Sequence, residues 1–294
     1  MAHNSFRDAR HPLLLLVMAG LVSGCAVFGG GASVPSQPPP VPTAQERAQA
    51  AGLHRDGLRA MYPPRGTAPD PDRASRLIEA AADLGDPDAQ LLVAGSHLYR
   101  TDGGRDAAAA IPWLHRAAQQ GVPDAQYRLA RLIEAGDGTS REPAWAAVWF
   151  QRAAERGLPE AQFAMGLMQV VGDGTAPDEA EALARIALAE RRRVPDAQRY
   201  RQALQRRVPT TQARQAAARI AAETARGPVV TPDRPLVRFA QSVLARRGGW
   251  TVPVDGRDGP QIRAVLADFA RRQGIAAASP YDPAVIDRLR ALAS

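Results

Sequence analysis

Lysine is absent: all 37 basic residues of this 294-residue chain are arginine. Cysteine occurs once, at Cys25, which excludes an internal disulfide. Aromatic residues make up only 5% of the chain, a poor supply for a β-sandwich, whose strands favour aromatic and β-branched side chains. No catalytic or metal-binding spacing is present either. His3 and His11 lie in the first 24 residues, and His54, His97 and His115 form no His-Glu-x-x-His pair and have no cysteine beside them. The serines and threonines lack a nucleophile-elbow context. The Gly-Asp-Gly turns and the stretch from Asp255 to Asp258 lack the alternating ligands and closing Glu of an EF-hand. These absences predict a protein that is not an enzyme and carries no cofactor.

Alanine is abundant instead, and it has the best helix propensity of all residues. The chain therefore reads as all-α, with length enough for more than one compact unit. Its formal charge is +7. A basic balance of this size raises the question of nucleic acid, but the arginines are scattered along helical faces, as at Arg191 to Arg193, Arg206 and Arg207, with no aromatic platform between them. No nucleic-acid partner is predicted.

The N-terminus has the layout of a signal peptide over residues 1–24: Arg7 and Arg10, then an apolar run from Pro12 to Leu21, then the small pair Ser23-Gly24. The apolar run is shorter than the ~20 residues a helix needs to cross a bilayer. Val22-Ser23-Gly24-Cys25 resembles the lipobox of bacterial lipoproteins, and the resemblance implies a diacylglyceryl thioether on Cys25 and an acylated new amino terminus. Two or more acyl chains hold a protein stably on a membrane where one does not. Ala26 follows, not Asp, which by the sorting rule of diderm bacteria implies the outer membrane, facing the periplasm. Residues 25–43 are dense in Gly, Ser and Pro and read as a tether, with a reach of at most ~60 Å.

A fixed period organises the middle of the chain. AADLGDPDAQ occupies Ala81 to Gln90, AAQQGVPDAQ Ala117 to Gln126, and AAERGLPEAQ Ala153 to Gln162, each 36 residues after the last. A worn fourth copy runs from Val194 to Gln198, with Arg193 in the place of the glycine. Each unit reads as two helices. The first ends at a glycine such as Gly121 or Gly157, suited to the left-handed C′ position, and Pro123 or Pro159 opens the second. The pattern closely resembles the SEL-one-like repeat, a relative of the tetratricopeptide repeat, and implies a solenoid over residues 74–226 that recruits protein partners. Residues 44–73 are expected to add a leading partial unit, and Thr210 to Arg226 a closing helix.

Pro228, Pro232 and Pro235 then break the helical run, and residues 227–233 read as a linker. Residues 234–294 are expected to form three helices, over 236–247, 260–273 and 283–292, with Asp282 capping the last. Gly249-Trp250, Val254-Asp255-Gly256, Gly259, Phe269 and Gly274-Ile275 make this segment similar to the small three-helix peptidoglycan-binding domain found beside many cell-wall enzymes. Phe269-Ala270 replaces the usual Phe-Gln, and Ile262 stands where Thr is common. The resemblance implies a glycan site at Trp250, Asp255, Gly256, Gly259 and Arg263. Physically, an Asp-Gly turn exposes backbone and a carboxylate, and Trp250 either stacks on a sugar face or joins the core of the small domain. The expected fold is thus an all-α solenoid of two-helix repeats followed by a small three-helix domain. The expected role is a lipid-anchored envelope scaffold, with a subunit of a secretion or exopolysaccharide-export assembly as the alternative.

Overall fold

The computed structural model describes residues 42–99, 103–224, 232–249, 251 and 253–293. The described residues form helices and no strands. They run as α1 (Ala44–Met61), α2 (Pro71–Asp83), α3 (Pro87–Leu98), α4 (Ala107–Gln119), α5 (Pro123–Ala135), α6 (Pro143–Glu155) and α7 (Pro159–Val171). Then come α8 (Glu179–Arg191), α9 (Ala197–Gln205), α10 (Thr210–Thr224), α11 (Arg234–Arg246), α12 (Pro260–Arg272) and α13 (Pro283–Ala293). None of these helices is long and apolar enough to cross a membrane.

The 36-residue period is kept in space: α2, α4, α6 and α8 begin at residues 71, 107, 143 and 179 and each is 13 residues long. Their starts are set locally. Asp70, Asp106 and Asp178 each accept a hydrogen bond from the backbone N–H three residues on, satisfying one of the donors a helix start leaves open. At the far end, Gly85, Gly121 and Gly157 take positive φ and let the chain reverse into α3, α5 and α7.

The repeated glutamine has a definite task. Gln90, Gln126 and Gln162 are buried, and their side-chain amides donate to the carbonyls of Ala82, Ala118 and Ala154 near the ends of the preceding helices. Each of those carbonyls also accepts from the N–H of the turn glycine, Gly85, Gly121 or Gly157, so the amide fills the second acceptor site of a carbonyl buried in the stack. A second repeated tie lies outside: Arg105 pairs with Asp137 and Arg141 with Asp173, both at 2.6 Å, joining loops of consecutive units. In the worn fourth copy the glutamine tie lapses and the glycine is replaced. Gln198 is exposed, and Arg193 takes the positive φ of 61° that glycine supplies elsewhere.

The apolar core runs through both parts of the molecule. One cluster of buried side chains joins Leu114, Leu129, Trp149, Phe150 and Met165 of the repeats to Val237, Phe239, Leu266 and Leu289 of the last three helices. The C-terminal helices therefore pack as part of the solenoid, with α11 and α13 lying against α6.

Candidate functional site

The loop expected to carry the glycan site is fastened at its base by one side chain. Gln241 on α11 is buried, accepts from the N–H of Gly256 at 2.7 Å and donates to the Asp255 carboxylate at 3.1 Å. The N–H of Arg257 also donates to Asp255, at 2.9 Å. Burial would raise the Asp255 pKa, yet these donors outweigh it and hold the carboxyl below its usual range. Gly256 has φ 72°, and a Cβ there would lie 2.6 Å from the Arg234 side chain and 2.9 Å from its carbonyl. Gly256 is thus required by the turn, and the Asp255 carboxylate is drawn partly inward.

Gly259 is the N-cap of α12, in extended backbone. Arg263, one turn on, makes two-pronged hydrogen bonds to Asp258, which also accepts from the Tyr281 hydroxyl at 3.0 Å. The Arg263 bond, set against some desolvation, lowers the Asp258 pKa. Burial and then the bond to Asp258 push the Tyr281 hydroxyl up. Of the five expected glycan residues, Asp255, Gly256, Gly259 and Arg263 therefore gather on one loop and the helix start after it. Trp250 lies outside the described residues, as does Cys25.

An open groove of about 610 Å³ lies between α11, α12 and α13, and none of Asp255, Gly256, Gly259 and Arg263 lines it. Its floor is apolar, with Val243, Leu244, Val265 and Leu289, and its rim carries Arg247, Arg271 and Arg272, the last two paired with Asp268, which also lines it. Phe269 touches the core and also lines the groove.

Sequence reasoning missed the interface between the last helices and the repeats. Arg290 of α13 makes paired 2.8 Å bonds to Glu142 at the start of α6, both side chains buried. Arg238 of α11 bonds both oxygens of Glu181, whose carboxylate is shared with the fully buried Arg185. Burial alone would raise the Glu181 pKa, but the Arg185 and Arg238 guanidiniums overcome it and hold the carboxyl well below the usual range. Asp233 caps α11 through the N–H of Leu236 and pairs with Arg152, so the end of the expected linker is fixed. Phe239 meets Trp145 edge-on at 5.5 Å. No local signal marks the pairs that join the last helices to the repeats, since their partners lie far apart in the chain.

His54, Asp86 and Asp88 bring three potential metal ligands within 4.8 Å of one another. The cluster sits at the start of α3, where Asp86 already accepts from the N–H of Ala89 and contacts His54 at 3.0 Å. The positive end of the helix opposes a cation there, and no metal role is assigned to it.

The helix pairs and their spacing match the family described as the Sel1 repeat over residues 50–86, 87–122, 123–158 and 159–184. Residues 50–184 are Sel1 repeats. The Sel1 frame pairs α1 with α2, α3 with α4, and so on, dividing the chain at the glycine turns; units that hold such a turn inside them, as α4 with α5, lie one helix out of phase, because a continuous stack has no unique point of division. It also takes α1 into the first repeat. A solved structure similar to this chain is a protective antigen of uropathogenic Escherichia coli strains, with an SLR fold. It is 23% identical, with a TM-score of 0.48 over 64% of this chain and 44% of that one. A Sel1 repeat protein from Oxalobacter formigenes is 30% identical over 42% of this chain and 94% of that one, with a TM-score of 0.39. The chain thus spans under half the length of the Escherichia coli antigen. No curated protein sequence matches it. Sel1 repeats serve protein–protein interaction in general, and the chain is read as an interaction scaffold on that ground.

Proposed function

We propose that the protein is a lipid-anchored scaffold of the bacterial cell envelope, which recruits protein partners through its Sel1 repeats and binds peptidoglycan through α11–α13. Lipid on Cys25 would hold it at the outer membrane, facing the periplasm, with residues 25–43 as the tether. The observation that carries the wall-binding half is the groove between the last three helices. Its apolar floor suits sugar faces and its arginine rim suits the carboxylates of wall peptides.

The test is co-sedimentation of the protein, begun after Cys25, with purified sacculi. At 1 M salt the Debye length is about 3 Å, so general attraction of an arginine-rich surface is screened. Retention is expected to persist there and to fall on Trp250→Ala and on Arg272→Glu. Point substitutions are preferable to removal of α11–α13, whose side chains complete the core around Trp149. Retention that vanishes with salt would overturn the wall-binding reading.

That result would favour the second reading, a lipoprotein subunit of an envelope secretion or exopolysaccharide-export assembly. One observation supports it: residues 191–219 carry nine arginines against the single acid Asp196, a surface fit for an acidic polymer.

A further inference from the structure

Because α2, α4, α6 and α8 repeat at 36 residues, side chains that far apart occupy equivalent places, and the covered half of the stack shows what its open half is equipped to hold. On α6 the guanidinium of Arg152 lies 4.5 Å over the ring of Trp149 and pairs with Asp233, the N-cap of α11. Both charged side chains of that pair are 14% exposed. One period earlier, on α4, the same device recurs: Arg116 lies 4.9 Å over the ring of Trp113. It meets the Asp83 carboxylate at a loose 3.9 Å, and the two side chains are 43% and 69% exposed.

Trp145 and Val148 of α6, beside the occupied seat, are covered by the C-terminal helices; the equivalent places on α4 are Ala109 and Pro112. The occupied seat is filled by an aspartate followed closely by a buried leucine, Leu236, whereas on α4 Arg116 has the loose contact with Asp83.

We propose that Trp113 and Arg116 form a docking seat for an acidic segment of a partner protein, one that presents a carboxylate to Arg116 and an apolar side chain a few residues away to the face of Trp113. The proposal rests on the reading of the repeats as a partner-recruiting scaffold and names the chemistry that one unit selects. The physical basis is the fixed fork of the guanidinium, already flattened on an indole. It can bind a carboxylate two-pronged with little further loss of freedom.

The probe is a blocked peptide with the sequence of Thr231 to Val237, the stretch that holds Asp233 and Leu236 at the occupied seat, made with Arg234→Gln so that Asp233 is its one charge. It is titrated into the protein while the indole N–H resonances, assigned by single Trp→Phe variants, are followed by NMR. The Trp113 resonance is expected to move with peptide concentration and the Trp149 resonance to stay. Arg116→Glu is expected to weaken the interaction at least about tenfold, as loss of a close charge pair does, and Arg116→Gln to act in the same direction without added repulsion. A peptide with Asp233→Arg should restore binding to the Arg116→Glu protein.

Several results would overturn the proposal. A Trp113 resonance that stays still up to about 10 mM peptide would do so, since even a weak carboxylate contact saturates there. So would affinity indifferent to Arg116. Movement at Trp149, with loss on Arg152→Glu, would mean the peptide only displaces α11. Self-association of the protein abolished by Arg116→Glu would assign the seat to a second copy of the chain. None of these results alters retention on sacculi, so the seat and the wall-binding reading fail separately.

Discussion

Arg290 and Glu142 lie 148 residues apart in the chain and meet in a buried, two-pronged ion pair, with the ring of Trp145 4.7 Å from the guanidinium. The pair ties the last helix to the start of α6. Together with Arg238 on Glu181 and Asp233 on Arg152, it makes the last three helices part of one core with the repeats.

The first prediction follows from that burial. Removing one partner of a buried pair strands the other charge, at a cost of about 3–5 kcal/mol, while replacing both by apolar or neutral groups of similar size is far milder. Arg290→Ala should therefore lower unfolding stability in urea by this amount, and Arg290→Met with Glu142→Gln should recover most of it. A loss under about 1 kcal/mol, the range of exposed pairs, would mean that the pair is not shut away from water in solution.

Acid should loosen the same interface through Glu181. Its pKa is depressed in the folded state, so between the folded value and the unfolded value near 4.3 the unfolded chain binds more protons. Stability from this group is thus fully present above pH ~5 and declines as the pH falls through 4 and below. Glu155 runs the other way, since burial raises its pKa and its protonation favours the fold. The check is the slope of urea stability against pH below 5 in wild type and Glu181→Gln. A shallower slope in the variant is expected, and identical slopes would contradict the role given to Glu181.

The glycine turns divide into two kinds. At Gly174, with φ 70°, a Cβ would lie 2.3 Å from the Pro143 carbonyl oxygen, which rigid backbone cannot yield. Gly157 has φ 83° with open space around it. Gly157→Ala should cost only the strain of a left-handed residue, about 1–2 kcal/mol, and Gly174→Ala distinctly more. Equal melting temperatures for the two variants would refute the close packing of that loop on α6.

The worn fourth repeat offers a substitution in the favourable direction. Arg193 holds φ 61° where three earlier units have glycine. Arg193→Gly should raise stability by about 0.5–1 kcal/mol, the strain relieved less the extra freedom glycine gains in the unfolded chain. A lower melting temperature would show that the Arg193 side chain makes a contact worth more than its backbone strain.

For the anchor, cells fed labelled palmitate should incorporate it into the protein, and Cys25→Ala should abolish both the label and membrane fractionation. Labelling that survives the substitution would remove the lipoprotein reading and with it the outer-membrane placement.

What the sequence determined alone was everything written within one unit. The period, the helix starts at Pro87, Pro123 and Pro159, the glycine ends and the all-α class are local, because caps, φ requirements and propensity act over a few residues and are spelled out by them. Even the three C-terminal helices were legible, each lying within two residues of its expected bounds. The repeated glutamine could be seen as a pattern, but its purpose could not. That Gln126 reaches back to the carbonyl of Ala118 depends on how two helices cross. The placement of the last helices was decided by tertiary structure alone. Arg290, Arg238 and Asp233 look like ordinary surface charges in a chain with 37 arginines. Which of them are buried depends on long-range pairing, since a desolvated charge is tolerated only where folding brings its counter-charge to it. The same packing covers Trp149 and leaves Trp113 half-buried, so two units with one local device differ in what they can bind.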